Sequence, residues 1–329
     1  GRSRDDRAHG DAPRPRRGQE EGGARQHHEE EGRAHATDGD AMRTALGTLA
    51  LETAKDARSA LAAMASEPHP TPIAGGTDLY VTLHAGANPA TRFLDLSRVK
   101  AWRGITTGRD HAVIGALTTF AAIRDDATIQ RRLPALVAAA REGGAWPIQT
   151  RATLGGNIAN ASPAGDSLPV LLAHDATIEL CSVHGEREIP YDEFHVGYRR
   201  SVREPEELIT RVLVPFPRRG SSVFFRKVGT RRAQSISKVV FCGRIERDAR
   251  GRVTLARLAF GSMAAMPVRA RRAEEALVGR TFAAALADAV AALPADLTPI
   301  DDIRSEGVYR AEVAGRLLEQ FARVATARR

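Results

Sequence analysis

Apolar residues larger than alanine and proline begin only at Met42. Residues 1–41 contain no Val, Ile, Leu, Met, Phe, Trp, Tyr or Cys. Such a stretch cannot bury enough apolar surface to offset its ordering entropy, so it reads as a disordered or non-native tail. From Met42 onward the pattern is that of a folded chain. Ala57, Leu61 and Met64 share one helical face over residues 53–65, and Pro68, Pro70 and Pro72 stop that helix. A short helix is expected over residues 78–84 and a strand over 92–96. A second unit starts near Gly104. It holds a strand at 112–114, helices at 120–125 and 135–142, and strands at 176–181 and 207–215. Thr118-Thr119 stands where a cap for the first of those helices belongs. Pro215-Phe216-Pro217 then reads as a domain boundary. Beyond it, strands at 222–228, 235–246 and 253–261 are separated by turn residues, as in an antiparallel sheet. Helices follow at 267–278, 281–293 and 308–325, with Phe282, Leu286, Ala289, Val290 and Leu293 on one face. The pattern predicts an α+β protein. Its first domain spans residues 42–216, in lobes of about 42–100 and 101–216, and a sheet-plus-helices domain spans 217–329.

Composition narrows the classes. The chain has 329 residues, 43% of them hydrophobic, enough for about two cores. No apolar run approaches the roughly 18 residues of a membrane span, and no signal-peptide pattern is seen, so a cytoplasmic protein is expected. The formal charge is +8, yet the tail holds eight arginines against ten acidic residues, so the excess lies in the folded part. Aromatic residues make up only 5% and no nucleic-acid motif occurs, so the charge suits an anionic cofactor or an acidic partner better than a nucleic acid. Cys181 and Cys242 give neither a disulfide framework nor the four thiolates of an iron–sulfur cluster. No metal site is expected on this chain.

Common chemical motifs are missing. There is no G-x-G, and so no Rossmann fingerprint, and no nucleotide P-loop, H-E-x-x-H or G-x-S-x-G. Two glycine pairs remain. One lies in Ile73-Ala74-Gly75-Gly76-Thr77-Asp78-Leu79. The other lies in Thr153-Leu154-Gly155-Gly156-Asn157, which runs on to Asp166. Adjacent glycines let the backbone approach a ligand closely, and successive N–H groups in such a turn form an anion-binding concavity. Two of them suggest a diphosphate held from two sides. Of 48 Lys and Arg residues only four are lysines, and Lys227 stands in Phe224-Phe225-Arg226-Lys227-Val228-Gly229-Thr230-Arg231-Arg232. A lysine on an aromatic strand can set a point charge beside a phosphate or a redox cofactor.

These segments resemble the FAD-binding medium subunit of the molybdenum hydroxylases, the family of xanthine dehydrogenase, carbon monoxide dehydrogenase and aldehyde oxidase. Ala74 to Leu79 is similar to that family's first flavin loop. Arg151 to Asp166 is similar to the second and is the most specific segment. Phe225 to Arg232, Leu258-Ala259-Phe260-Gly261 with Pro267-Val268-Arg269-Ala270, and Tyr309-Arg310 extend the match over about residues 42–321. Two positions depart from the family pattern: Gln149 where an arginine is usual, and Trp146.

The resemblance implies a two-lobed vanillyl-alcohol-oxidase-type FAD domain, then a C-terminal antiparallel sheet with helices. It implies that Pro72, Ile73, Ala74, Gly75, Gly76, Thr77, Asp78 and Leu79 wrap the FAD diphosphate. Thr153, Leu154, Gly155, Gly156 and Asn157 would hold it through N–H groups from the other lobe. Asp166 would bond the adenosine or ribityl side, Ile209 would pack on the flavin, and Lys227 would tune its reduced form. It further implies a small iron–sulfur subunit with two-iron two-sulfur clusters and a large molybdopterin subunit, assembled as a dimer of heterotrimers. Electrons would pass through FAD to NAD, a quinone or oxygen. His195-Val196-Gly197 and Leu133-Pro134-Ala135-Leu136 lean towards the xanthine dehydrogenase branch. A carbon monoxide or aldehyde dehydrogenase relative, and a stand-alone FAD oxidase, stay open as alternatives. No residue of this chain is expected to carry out substrate hydroxylation.

Overall fold

The structure is a computed structural model that describes residues 46–231 and 234–327. The expected tail at 1–41, and Arg232 of the lysine segment, lie outside the described residues.

The first layer is a small parallel sheet. Strand β1 (Ala50–Thr53) leads through helix α1 (Ala57–Met64) to β2 (Thr71–Ile73), and β2 leads through α2 (Leu79–His84) to β3 (Arg92–Asp95). The order is β1-β3-β2 with both pairings parallel. Helix α1 starts later than residue 53 because Thr53 belongs to β1 and a capping box fixes the start. Asp56 Oδ1 accepts from Ser59 N at 2.8 Å, and Ser59 Oγ accepts from Asp56 N at 3.0 Å. Ala60, Met64, Leu94, Val99 and Trp102 form the core, joined by Leu117 and Leu208 from the next layer.

The second layer is a five-stranded antiparallel sheet. Its strands are β4 (Ile105–Thr107), β5 (His111–Gly115), β6 (Thr177–Ser182), β7 (Gly185–Pro190) and β10 (Leu208–Pro215), in the order β4-β5-β10-β6-β7. Between β5 and β6 run α3 (Phe120–Asp125), α4 (Ala127–Arg132), α5 (Pro134–Glu142), α6 (Trp146–Gln149), α7 (Leu154–Asn160) and α8 (Leu168–Ala173). Between β7 and β10 lie α9 (Tyr191–Phe194) and a tight hairpin of β8 (His195–Gly197) and β9 (Arg200–Ser201). Ile114, Leu136, Leu171, Ile178 and Val212 meet in one core, which Cys242 and Ala259 of the third layer complete.

The third layer holds β11 (Ser222–Gly229), β12 (Ser237–Arg247), β13 (Val253–Gly261) and the short β14 (Val268–Arg269), all antiparallel and in sequence order. Helices α10 (Arg271–Leu277), α11 (Phe282–Ala292) and α12 (Gly307–Ala327) cover it. An aromatic cluster fills the space between: Phe241 and Phe260 centroids stand 4.7 Å apart, and Phe282 meets Phe321 edge-on at 5.3 Å. Arginine–aspartate pairs tie the second and third layers together. Asp175 accepts from Arg244 at 2.9 Å and Arg257 at 2.6 Å, and Asp192 from Arg271 at 2.8 Å.

Candidate functional site

The two glycine pairs meet at the seam of the first two layers. The first follows β2 directly. Gly76 has φ +76°, a conformation that favours glycine. A Cβ on Gly75 would strike the carbonyl of Arg151, so only glycine lets the loops close on each other. Arg151 Nε also donates to Gly75 O at 3.2 Å.

The second pair is the start of a helix. Thr153 caps α7: its Oγ1 accepts from Gly156 N at 3.1 Å. Gly155 is required by packing, since a Cβ there would lie 2.5 Å from Ala116 Cβ. The N–H groups at this end are engaged within the chain. Leu154 N donates to Thr118 O at 3.1 Å, Gly155 N to Ala116 O at 2.8 Å, and Asn157 N to Thr153 O at 3.0 Å. The first loop differs. No acceptor among the described residues takes the N–H groups of Gly75, Gly76, Thr77 or Asp78.

A cleft of about 500 Å³ opens between the loops. Pro72, Ile73, Ala74, Gly75, Gly76, Thr77, Asp78 and Leu79 line it, as do Thr153, Gly155, Gly156, Asn157 and Ile209. Leu96, Leu117 and Leu208 add apolar wall. Long, half-apolar and rich in unspent N–H donors, it has the chemistry a dinucleotide requires. Leu154 is fully buried beneath the cleft and does not line it.

Asp166 and Lys227 also lie off the lining, and the structure brings them to each other. Lys227 Nζ donates to Asp166 Oδ2 at 2.6 Å and to Glu142 O at 3.1 Å. Their side chains are only 7% and 11% exposed. Asp166 Oδ1 is buried without a partner among the described residues. Burial pushes the Asp166 carboxyl up to about 6, while the Lys227 charge and hydrogen bond pull the other way. The pair reaches the cleft indirectly: Ser167, next to Asp166, donates to Asn157 Oδ1 at 2.7 Å.

The two departures from the family pattern prove to be neighbours. Gln149 is buried, accepts from Arg124 Nη1 at 2.9 Å, and donates to the carbonyls of Arg141 and Gly144. The Arg124 guanidinium stacks 4.0 Å above the Trp146 ring. A cation therefore still stands at this turn, supplied by α3.

Asn160, a polar neighbour of the second glycine pair, also lines the cleft, and sequence reasoning missed Arg199, Arg203 and Glu207 there. The signal available was the charge-rich run from Arg199 to Glu207 just before β10. Arg203 Nη1 donates to the carbonyls of Glu204, Pro205 and Glu207 at 2.9, 3.2 and 2.7 Å. Arg187 grips Glu207 with two bonds of 2.6 and 2.7 Å, which hold its carboxyl below the usual range.

Comparison with known proteins gives the family. Residues 47–217 match the family model described as the FAD binding domain in molybdopterin dehydrogenase. Residues 224–325 match that of the CO dehydrogenase flavoprotein C-terminal domain. The xanthine dehydrogenase FAD-binding subunit of Escherichia coli O157:H7 is 35% identical over 216 residues, 64% of this chain and 73% of that one. The nicotinate dehydrogenase FAD-subunit of Eubacterium barkeri is 32% identical over 213 residues, 64% and 72% of the two chains. Among solved structures, a carbon monoxide dehydrogenase from Hydrogenophaga pseudoflava that lacks the Mo-pyranopterin moiety of its molybdenum cofactor superposes with a TM-score of 0.81. The match has 26% identity and covers 85% of this chain and 98% of that one. The chain belongs to the FAD-binding medium subunits of the molybdenum hydroxylases, an FAD-binding domain followed by a C-terminal sheet-and-helix domain, and it is an oxidoreductase subunit.

Proposed function

We propose that this chain carries electrons within a molybdenum hydroxylase. It would receive them from two-iron two-sulfur clusters on a small partner subunit and pass them through FAD to NAD, a quinone or oxygen. A large molybdopterin subunit would carry out the hydroxylation, and the assembly would be a cytoplasmic dimer of heterotrimers of the xanthine dehydrogenase kind. FAD supplies the redox chemistry when bound. The chain's own residues bind and position it. The observation that carries the reading is the cleft walled by two abutting glycine loops, with unspent N–H groups at Gly75, Gly76, Thr77 and Asp78. Those donors suit the diphosphate oxygens. Ile209, Leu117 and Leu96 keep water off an apolar ring. Lys227 would act on the flavin through its pair with Asp166. While Asp166 is ionised the pair is neutral, and protonation near pH 6 leaves the lysine charge uncompensated.

The test is the visible spectrum of the protein purified with its neighbouring subunits, before and after a purine or an aldehyde is added. Flavin and iron–sulfur absorbance that both bleach with substrate support the reading. Flavin that bleaches with substrate in the isolated chain makes it a stand-alone oxidase. A preparation that holds no flavin refutes the assignment of the cleft.

A further inference from the structure

The bend that carries Asp166 belongs to the second layer, but the third layer holds it. It runs from Ala161, just past α7, to Ser167, just before α8, and is part of no helix or strand. Gly165 N donates to Ser162 O at 3.0 Å, and Ala164 N to Ser162 Oγ at 3.3 Å. The carbonyls of Pro163 and Ala164 turn to the third layer instead. Ser262 N donates to Pro163 O at 2.8 Å, and Ser237 Oγ donates to Ala164 O at 3.2 Å. A Cβ on Gly261 would lie 3.1 Å from both Pro163 O and Pro169 Cγ, so the bend sits tight on the end of β13.

The two serines form a buried pair. Their hydroxyls are 3.0 Å apart, and Ser262 Oγ also reaches Ser237 O at 3.1 Å. Each hydroxyl has one proton, so the count runs one way: Ser262 donates to Ser237, and Ser237 donates to Ala164 O. Ser262 has φ +62°, uncommon for a residue with a Cβ, and persists there only if its surroundings fix it. Buried Arg310 does so. Its Nη1 donates to Ser262 O at 2.9 Å, and its Nη2 donates to Asp302 Oδ1 at 2.6 Å.

What leaves the bend reaches the cleft. Asp166 meets Lys227 of β11 at 2.6 Å, and Ser167 donates at 2.7 Å to Asn157 on the cleft lining. Groups that bind a ligand work only when the residues behind them fix their place to about 0.5 Å. We propose that Ser237, backed by Ser262 and Arg310, is a positioning residue for the cofactor: from the third layer it sets where Asp166 and, through Ser167, Asn157 stand. This rests on the flavin reading of the cleft. If the serine pair only ties the layers together, its loss lowers stability and leaves the cofactor untouched.

The full chain, stripped of flavin, is titrated with FAD by fluorescence quenching, and its stability is followed in urea. S237A is compared with S222A, which removes a buried strand serine bonded to Arg247 and not to the bend. S237A should weaken FAD about threefold to tenfold, the scale of one hydrogen bond, and S222A by less than about twofold. In a chain that already carries D166N and S167A, adding S237A should change FAD affinity by less than about twofold, because its route to the cleft is gone. The pH profile gives a second readout. Asp166 faces Lys227 of β11 and Glu142 of α5 and titrates at about 6. Set less well against Lys227, it holds its proton more tightly, so the inflection of FAD affinity should move up in S237A and stay in S222A. S262G suits φ +62°, keeps the bond to Pro163 O and loses only the backing hydroxyl, so its FAD affinity should fall between those of the wild type and S237A. FAD affinity unchanged in both S237A and S262G overturns the proposal, as does an equal loss in S237A and S222A, or the full S237A loss in the D166N and S167A chain. A wild-type chain that binds no FAD overturns the flavin reading and this proposal with it.

Discussion

Lys227→Met tests the buried pair directly. Among the described residues, Lys227 gives Asp166 its one hydrogen bond, at 2.6 Å, and the other carboxylate oxygen has no partner. Burial already raises Asp166 from 3.8 to about 6 against the pull of Lys227. A carboxyl that binds its proton more tightly when folded favours the folded state at low pH. Its contribution, about 3 kcal/mol at about 1.4 kcal/mol per unit, is present below about pH 4 and lost as the pH rises to 6. Above pH 6 the wild type gains or loses nothing more from this group. In the methionine variant both terms that lowered the value are gone, so the proton is held to higher pH and stability keeps falling. The gap between the two proteins should therefore open above pH 6 by up to about 1.4 kcal/mol per unit, at most roughly 3.5 kcal/mol at pH 8.5. That stays within the roughly 3–5 kcal/mol ceiling for breaking a buried pair. Urea denaturation of the flavin-free chain between pH 6 and 8.5 measures it. Adding Asp166→Asn to the methionine variant should remove the pH dependence of the gap. A gap that is flat across this range, or below about 1 kcal/mol at pH 8.5, refutes the reasoning.

Three further outcomes follow from the packing. Gly75→Ala drives a methyl into the Arg151 carbonyl. It should cost about 1–3 kcal/mol of overpacking and weaken FAD in a quenching titration. Thr153→Ala removes the cap on Gly156 N and should lower the stability of the apo chain by about 1 kcal/mol in urea. Phe321→Ala empties a site bounded by Phe224, Phe241 and Phe282, and should cost about 3–5 kcal/mol in the same assay.

The elements that declare themselves in the sequence are those whose period the tertiary fold does not override. Strands β12 and β13 were expected within two residues of their ends, because turn residues at Asp248 and Gly251 bound them. The cap at Thr119 was likewise legible, and its Oγ1 does accept from Ala122 N. Helix α7 was not. Two glycines in seven residues argue against a helix, and Gly155 is tolerated only because Ala116, far back in the chain, leaves no room for a Cβ. The parallel pairing of the first layer was also hidden, since strands of three and four residues are too short to show a period. In the cleft, the glycine loops were visible as motif, and Ile209 came only through the family resemblance. Arg199 and Arg203 were not, because an arginine in a charged run looks like any solvent-facing residue until the fold sets that run beside the cleft. Lys227 and Asp166 were each singled out, but 61 residues separate them, and nothing local says that each is the other's partner.

The strand order of the second layer sets a timetable. Its middle strand, β10, is the last of the five to be synthesised, and it carries Ile209 into the cleft. Until residue 215 has left the ribosome, β5 and β6 have no partner for their facing edges. The nascent chain thus exposes the β5 edge over about a hundred residues of translation and the β6 edge over about the last thirty, a window in which a holding chaperone has most to protect. The pocket acquires its last wall only when that strand slides into the middle, so cofactor loading is necessarily a late event in the life of the new chain.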